Sequence, residues 1–169
     1  EGKKVSLQNI EIQPQKQDFQ PSLHIAIAPT KNMDRIEFFI EKATEMGISE
    51  ITFLHTDNSE RKNLNLDKIQ KQVVGASKQS LRTYFPKVND LIKFKDFIKT
   101  INPETSFVAH CDESLERIRI QEVQISEKWT VFIGPEGDFS TSEIQQLSEL
   151  GIKAITLGEQ RLRTETAGI

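Results

Sequence analysis

Apolar and polar positions along the chain predict strands and helices in alternation from residue 23 onward. Leu23, Ile25 and Ile27 alternate with less apolar neighbours, as in a strand that packs one face inward. Further strands are predicted over 51–54, 106–109, 129–133 and 154–157. Between them, apolar residues at helical spacing predict helices over 32–47, 66–76, 94–98 and 140–151. This alternation is typical of an α/β fold with a mainly parallel sheet and helices on both faces.

Short sequence signals mark the ends of these helices. Asn32 is expected to cap the first helix and Gly47 to end it. Ser140 and Glu143 are spaced as a capping box at the start of the last predicted helix. The stretch Tyr84-Phe85-Pro86 is expected to break the second helix.

The two ends of the chain do not follow this pattern. Residues 1–20 are rich in Gln, with Pro14 among them and Pro21 directly after them, and are predicted to be a strand remnant plus a linker from a preceding unit. Residues 21–169 are predicted to form one domain, which is long enough for one good-sized core. The chain stops at Ala167-Gly168-Ile169, where a further helix is expected to start, so we expect more residues beyond it.

Composition places the chain among ordinary globular proteins. It has 169 residues and a net charge of −3, with 36% hydrophobic and 28% charged residues. No apolar run approaches the roughly 20 residues that a membrane span needs, so no membrane partner is expected. Cys111 is the only cysteine, which excludes an internal disulfide and favours a cytoplasmic location. Cys and His are too few and too scattered for a structural zinc site, and no metal is expected.

A basic segment contrasts with the acidic average. Residues 61–95 contain nine Lys or Arg and only two Asp. A local positive surplus suits a polyanion such as RNA, and Arg61, Lys78 and Arg82 are the candidate phosphate contacts. A solvated helical face would carry the same charges, and the sequence alone does not separate the two interpretations.

One predicted strand ends in the stretch FIGPEGDFS. In parallel sheets, ligands bind beyond the carboxyl ends of the strands, so this turn is a candidate binding site. Gly134 and Gly137 lack Cβ atoms, which lets a flat ligand approach the backbone, and Pro135 stiffens the turn. Glu136 and Asp138 would repel phosphate and suit a neutral base or a cationic ligand. A plain tight turn before a capped helix is the alternative.

The last predicted strand runs into a second candidate turn, LGEQRLRTETAG. Arg161 and Arg163 stand two positions apart, and Glu165 follows them. Guanidinium groups match phosphate or carbonyl oxygens well, so this turn is a candidate for binding such a group. A surface ion-pair cluster is the alternative.

Together the two turns resemble a known family. FIGPEGDFSTSEI followed by LGEQRLRTETA is similar to the motifs of the bacterial 16S ribosomal RNA (uracil-N3)-methyltransferase family, of the SPOUT class. IEFFIEKATEMGISEITFL and ASKQSLRTYFPKV are similar to its first helix and strand and to its second helix. The resemblance covers roughly residues 21–169. It implies a trefoil knot at the C-terminal end and S-adenosyl-L-methionine as cofactor. It also implies a homodimer that methylates N3 of a uridine in the 16S rRNA of the small ribosomal subunit.

The resemblance also implies parts that this chain does not carry in full. The family has an N-terminal PUA-like barrel, of which only the last strand, around Val5 to Ile12, would remain. The helix that closes the knot would be missing after Ile169. Lys78 stands where the family often has an acid, which is expected to change the local charge and not the function.

The resemblance implies roles for single residues. Arg161 and Arg163 would orient the target base or its phosphate and stabilise the uracil anion, while Glu165 would act as the base or hold an arginine in place. The residues implied to bind the cofactor are Ala109, His110, Gly134, Pro135, Glu136, Gly137, Leu157, Gly158, Leu162, Thr164, Thr166 and Ala167.

Two other functions stay open on the sequence. A non-catalytic RNA-binding protein could retain the fold, although it would not need the intact LRTETA turn. A small anion-binding or phosphoryl-transfer α/β domain is disfavoured, because the FIGPEGDFS turn has two acids and no lysine.

Overall fold

The structure is a computed structural model that describes residues 6, 8–11, 21–111, 116–124 and 126–169. Its strands are β1 (Ser22–Ile27), β2 (Glu50–His55), β3 (Lys87–Lys93), β4 (Ser106–Ala109), β5 (Ile118–Arg119), β6 (Lys128–Ile133) and β7 (Lys153–Thr156). Its helices are α1 (Met33–Met46), α2 (Leu66–Gln79), α3 (Phe94–Phe97), α4 (Thr141–Glu149) and α5 (Thr164–Ala167). The predicted strand remnant around Val5 to Ile12 and the linker up to residue 20 lie largely outside the described residues.

The described strands form one sheet in the order β3-β2-β1-β6-β4-β7-β5. Each neighbouring pair is parallel, with Ile25 of β1 beside Ile51 of β2 and Val131 of β6. Parallel neighbours need crossover connections, and most of these run through helices here. The predicted mainly parallel α/β sheet is confirmed.

Both faces of the sheet are covered, because successive side chains of a strand point to opposite sides. One face packs Ile25 and Ile27 against α1 and α2. The other packs Ala26 and Phe132 against α3 and α4. Phe39 of α1 is fully buried, which stabilises the fold by about 2–3 kcal/mol for that side chain. The prediction of helices on both faces is therefore also confirmed.

The helix ends lie where the sequence signals placed them. The Asn32 side chain accepts a hydrogen bond from the Asp34 amide and caps α1, and Gly47 ends that helix in the left-handed region at φ 94°. Ser140 and Glu143 form both hydrogen bonds of a capping box at α4. These local rules fix how each helix leaves the carboxyl edge of the sheet.

Two strands were not predicted, β3 and β5. β3 is an edge strand with the sequence KVNDLIK, and its pairing with β2 shifts register between Thr52 and Phe53, so that Asp90 is an extra residue. Such a bulge breaks the period-two pattern on which strand prediction depends. β5 has only two residues and pairs at the opposite edge, with β7.

After β7 the chain turns back across the carboxyl ends of β4 and β6 and reaches α1. There α5 packs on α1, and Ala167 joins the core on that face. Gly168 lies so close to α1 that a Cβ atom at this position would be 2.7 Å from the Phe39 ring. This return brings the arginine-bearing turn to the edge of the sheet where ligands bind in α/β folds.

Candidate functional site

A cavity of about 280 Å³ opens at the carboxyl edge of the sheet, where the ends of β4 and β6 meet the turn after β7. Its wall contains both turns that the sequence singled out. The predicted site residues in this wall are Ala109, Gly134, Pro135, Glu136, Arg161, Leu162, Arg163, Thr164 and Ala167. Among the described residues, Arg35, Cys111, Ile133 and Asp138 also line it.

Other predicted site residues lie outside the wall. They are His110, Gly137, Leu157, Gly158, Glu165 and Thr166. His110 and Glu165 are buried next to wall residues, and Leu157 packs against the core. Gly137 is turned toward the loop after β2, where its carbonyl accepts a hydrogen bond of 3.2 Å from the Asn58 amide group. The structure thus brings together most, but not all, of the residues that the resemblance implied.

The turn after β6 is tight because it packs on itself. A Cβ atom at Gly134 would lie 3.0 Å from Asp138 Oδ1 and 3.1 Å from the Phe139 amide nitrogen. Asp138 holds a positive φ of 60°, which a non-glycine residue adopts at some cost. A side chain at position 134 would therefore press on the turn's own atoms, which is a different reason for glycine from the ligand approach inferred from the sequence.

The two acids of this turn already accept hydrogen bonds from the backbone. Glu136 Oε1 accepts from the Lys31 amide at 3.2 Å, and Asp138 Oδ2 accepts from the Cys111 amide at 2.7 Å. The other Asp138 oxygen accepts from the Phe139 amide at 2.8 Å. The acids thus tie the turn to the loops after β1 and β4, and they are less free to meet a cation than the sequence suggested.

The loop after β2 buttresses the same turn from outside. Asn58 donates to the carbonyl oxygens of Gly137 and Asp138, at 3.2 and 3.0 Å. The Asp57 amide donates to Glu143 Oε1 at 2.9 Å, and the Ser140 hydroxyl donates to the Asp57 carboxylate at 2.8 Å. Because these bonds link residues far apart in the chain, the cavity wall is organised before any ligand binds.

The arginine-bearing turn contributes two exposed cations, Arg161 and Arg163. A third cation comes from α1, where Arg35 also lines the cavity. Arg35 Nε lies 3.7 Å from Oε1 of Glu165, whose side chain is only 8% exposed. Among the described residues, the second oxygen of Glu165 is buried and has no hydrogen-bond partner. Among the described residues, the three arginines outnumber Glu165 at this end of the cavity, which suits anionic oxygens.

The predicted RNA contacts are partly used within the fold. Arg61 donates to the carbonyl oxygens of Thr30 and Lys31, and Arg82 donates to the Glu45 carbonyl at the end of α1. Lys78 is exposed on α2. Of the three candidates, Lys78 therefore presents the most accessible positive charge, and RNA contact by Arg61 or Arg82 stays a prediction.

A larger cavity of about 730 Å³ lies near the amino ends of β2, β3 and β6. Its polar groups bond mainly to one another: His24 Nε2 to Thr52 Oγ1 at 2.7 Å, and Glu50 to Lys87 and Asn89 at 2.9 and 2.8 Å. A network that satisfies itself needs no ligand. Ligands also favour the opposite edge of a parallel sheet, so the cavity at the carboxyl edge is the candidate functional site.

Two further properties of the described residues bear on the kind of site. In the described part of the chain, no three His, Cys, Asp or Glu side chains gather as a metal site would need. None of the described helices is long and apolar enough to cross a bilayer.

Fold and site together define a class of protein: a parallel α/β domain whose cavity is built by the turns after β4, β6 and β7, with arginines in its wall. Residues 17–169 match the family model described as RNA methyltransferase domain. The match spans most of the chain, and the chain belongs to this family of RNA methyltransferase domains.

Individual relatives support the same family. Ribosomal RNA small subunit methyltransferase E of Mesomycoplasma hyopneumoniae is 34% identical over 152 residues, which cover 87% of this chain and 65% of that protein. The structure called "probable rRNA-methyltransferase from Porphyromonas gingivalis" has 33% identity and a TM-score of 0.86, covering 92% of this chain and 67% of that one. Ribosomal RNA small subunit methyltransferase E of Neisseria gonorrhoeae, solved with bound S-adenosyl methionine, has 26% identity and a TM-score of 0.79. The matched region covers 87% of this chain and 62% of the Neisseria gonorrhoeae chain.

These comparisons confirm the predicted SPOUT-class fold and the family inferred from the two turns. The chain spans only 59–65% of the length of the first three curated relatives that it matches.

Sequence reasoning missed Arg35, although a signal for it existed. Arg35 lies in the first turn of α1, directly after the connection from β1. The first turn of a helix that follows a parallel strand lies at the carboxyl edge of the sheet, where the site was expected. Cys111 follows β4 by two residues, at the same edge of the sheet, and also lines the cavity.

Proposed function

We propose that the chain is the catalytic domain of an S-adenosyl-L-methionine-dependent methyltransferase that modifies N3 of a uridine in 16S rRNA. The observation that carries this proposal is the meeting of the turns around Gly134 and Arg163 at one cavity. Relatives named ribosomal RNA small subunit methyltransferase E, one solved with S-adenosyl methionine, support it.

The chemistry of the cavity fits such a methyl donor. Ala109, Ile133 and Leu162 supply apolar wall, and the turn at Gly134 and Pro135 supplies backbone groups that can pair with an adenine edge. The rigid turn after β6 holds the ligand in one orientation, and alignment of this kind can lower a barrier by roughly 7–11 kcal/mol. When bound, the donor supplies a methyl group on a positively charged sulfur.

The residues of the arginine turn act on the uracil. N3 is a poor nucleophile while it carries its proton, so the proton must leave to a base or to water. The N3 lone pair forms the new bond to the methyl carbon, and the electrons of the carbon–sulfur bond stay on sulfur. Arg161 and Arg163 stabilise the negative charge that develops on the imide oxygens.

Glu165 holds an arginine in this proposal and does not act as the base. It lies outside the cavity wall, its side chain is 8% exposed, and it faces Arg35. A general base needs to come within hydrogen-bond reach of the proton that it removes. Two roles of Glu165 were inferred from the sequence, and its burial and ion pair support the one in which it holds an arginine in place.

The wider assembly follows the family resemblance. Domain 21–169 would follow a PUA-like barrel, of which residues 1–20 keep a remnant, and a helix after Ile169 would close the knot. The active form is a homodimer in the cytoplasm that binds the small ribosomal subunit, needs no metal and contacts no membrane. RNA approaches over the basic segment, with Lys78 as the exposed contact, so binding weakens as salt rises.

Two measurements test the proposal directly. Calorimetry with S-adenosyl-L-methionine and with its demethylated product should show binding in competition for one site. Small subunits from a strain without the native activity should then accept a methyl group, and mapping should place it on N3 of one uridine. RNA binding without any donor binding would favour the non-catalytic alternative.

A variant pair tests the arginine turn. Arg163→Ala should abolish methyl transfer while the thermal midpoint stays within a few degrees, because the side chain is exposed and its loss leaves the core unchanged. Arg119→Ala is the matched control, since Arg119 is an exposed arginine on the far edge strand that pairs with Glu122. Full activity in Arg163→Ala would remove Arg163 from the site.

A further inference from the structure

Arg35 is the one cation of the cavity wall that reaches it from α1. Its side chain is 37% exposed, and among the described residues its guanidinium forms one ion pair and no hydrogen bond. Nε is the nitrogen nearest Glu165, so the two terminal nitrogens lie farther from that carboxylate. They are donors without acceptors on a side chain that lines the cavity.

Glu165 is placed to hold this arginine. The carboxylate is 92% buried by the exposure of its side chain, and at 3.7 Å its contact with Arg35 is an ion pair longer than a hydrogen bond. One of its oxygens is buried without a partner among the described residues. A buried carboxylate this incompletely paired gains from any movement that brings Arg35 closer.

The local charge balance favours an anion over a cation. Among the described residues of the wall, Arg35, Arg161 and Arg163 stand against the carboxylates of Glu136 and Asp138. Glu165, just outside the wall, pairs with Arg35. Both acids of the wall already accept backbone hydrogen bonds. Among the described residues of the wall, the arginine N–H groups are therefore the larger set of polar groups that still need a partner. Planar guanidinium groups bind carboxylate and phosphate oxygens with two parallel hydrogen bonds.

We propose that Arg35, anchored by Glu165, is an anion-binding residue at the cavity and takes a carboxylate or phosphate group of a bound substrate. The proposal rests on the proposed methyltransferase function, which offers two sources of that anion. One is the carboxylate of the methyl donor's amino-acid tail, and the other is a phosphate of the RNA strand. The same guanidinium geometry suits both, and the two sources separate by experiment.

The first arm of the test uses two nucleosides that differ in the tail. S-Adenosylhomocysteine carries the carboxylate, and 5′-methylthioadenosine lacks it. Calorimetry on Arg35→Gln should show about tenfold or greater loss of affinity for the first and unchanged affinity for the second, if the anion is the carboxylate. Lys42→Gln is the matched control on the same helix, since Lys42 pairs with Glu41 and Glu45.

The second arm measures binding of a 16S rRNA fragment against salt. If the anion is a phosphate, Arg35→Gln should weaken RNA binding and reduce the salt slope by about one. Arg35→Lys, which keeps the charge and loses the planar fork, should recover part of the affinity in whichever arm responds.

The outcomes separate cleanly. The proposal is overturned if Arg35→Gln binds both nucleosides and the RNA as the parent chain does. It is also overturned if Arg35→Gln loses affinity equally for both nucleosides and binds RNA unchanged, because that result would indicate a merely structural role. If the parent chain binds neither nucleoside, the proposed function fails, and the RNA arm alone decides about Arg35. Should Arg35→Gln unfold, the pair Arg35→Gln with Glu165→Gln removes both charges and avoids a buried, unpaired carboxylate.

Discussion

His24 makes the fold sensitive to acid. Its imidazole is buried in the middle of β1, and its Nε2 atom shares a hydrogen bond of 2.7 Å with the Thr52 hydroxyl. The ring also meets the Phe97 ring edge-on, with 5.7 Å between the ring centroids. Burial lowers the pKa of His24 from its usual 6.5 to about 4, and the charges of Lys128 and Lys87 act in the same direction. Nearby Glu50 opposes them but does not outweigh burial. Folding therefore excludes a proton that the unfolded chain binds.

The size of the effect follows from the two pKa values. Well above pH 6.5, His24 is neutral in both the folded and the unfolded chain, so it adds no pH dependence to the free energy of unfolding. Between pH 6.5 and about 4 only the unfolded chain takes up the proton, so the free energy of unfolding falls as the pH falls. The complete loss is about 3 kcal/mol, of which about 2 kcal/mol should be seen between pH 7.5 and pH 5.

Urea unfolding at a series of pH values, followed by circular dichroism, measures this loss. His24→Gln should start less stable at pH 7.5, because its amide replaces an aromatic ring against Phe97, yet it should lose about 2 kcal/mol less on acidification to pH 5. His55→Gln is the control, since His55 ends β2 outside this cluster. Equal slopes for His24→Gln and the parent chain would refute the assignment to His24.

Three glycine substitutions test the close contacts described above. Gly134→Ala should lower the free energy of unfolding by about 1–3 kcal/mol and weaken nucleoside binding, because the new methyl group would lie 3.0 Å from Asp138. Gly168→Ala should cost a similar amount, since Phe39 is fully buried and cannot move away from a methyl group at 2.7 Å. Gly75→Ala, in open space on α2, is the control and should stabilise by up to about 1 kcal/mol. Chemical denaturation checks all three, and a neutral result at Gly168 would contradict the inferred docking of the C-terminal turn.

Elements with strong local signals could be predicted from the sequence, and elements defined by pairing could not. α1 begins at a capping asparagine and ends at a left-handed glycine, so both of its ends can be predicted from residues at the helix itself. β3 is different, because the bulge at Asp90 interrupts its alternation of apolar and polar residues. Its partner strand β2 is also distant in the chain, since the paired residues Glu50 and Lys87 are 37 positions apart. Long-range pairing of this kind leaves no local pattern to detect.

The site shows the same division. Gly134 and Arg163 could be selected because each stands in a turn directly after a predicted strand, and the carboxyl edge is where such turns meet. Which side chains face the cavity depended on contacts that the sequence does not encode locally. Arg61 and Arg82 were plausible phosphate ligands by charge, yet both donate to backbone carbonyls, and Arg35 was overlooked.

The contacts around the cavity explain how three loops from distant parts of the chain can form one rigid wall. Glu136 ties the turn after β6 to the loop after β1, and Asp138 ties it to the loop after β4. Asn58 adds the loop after β2. Each tie joins a side chain to a backbone group, so displacing one loop breaks a charge-assisted or amide hydrogen bond of about 1–3 kcal/mol. Among the described residues, the long Arg35–Glu165 pair is the one such tie of the arginine turn, which makes this turn the part of the described wall best able to adjust when a substrate enters.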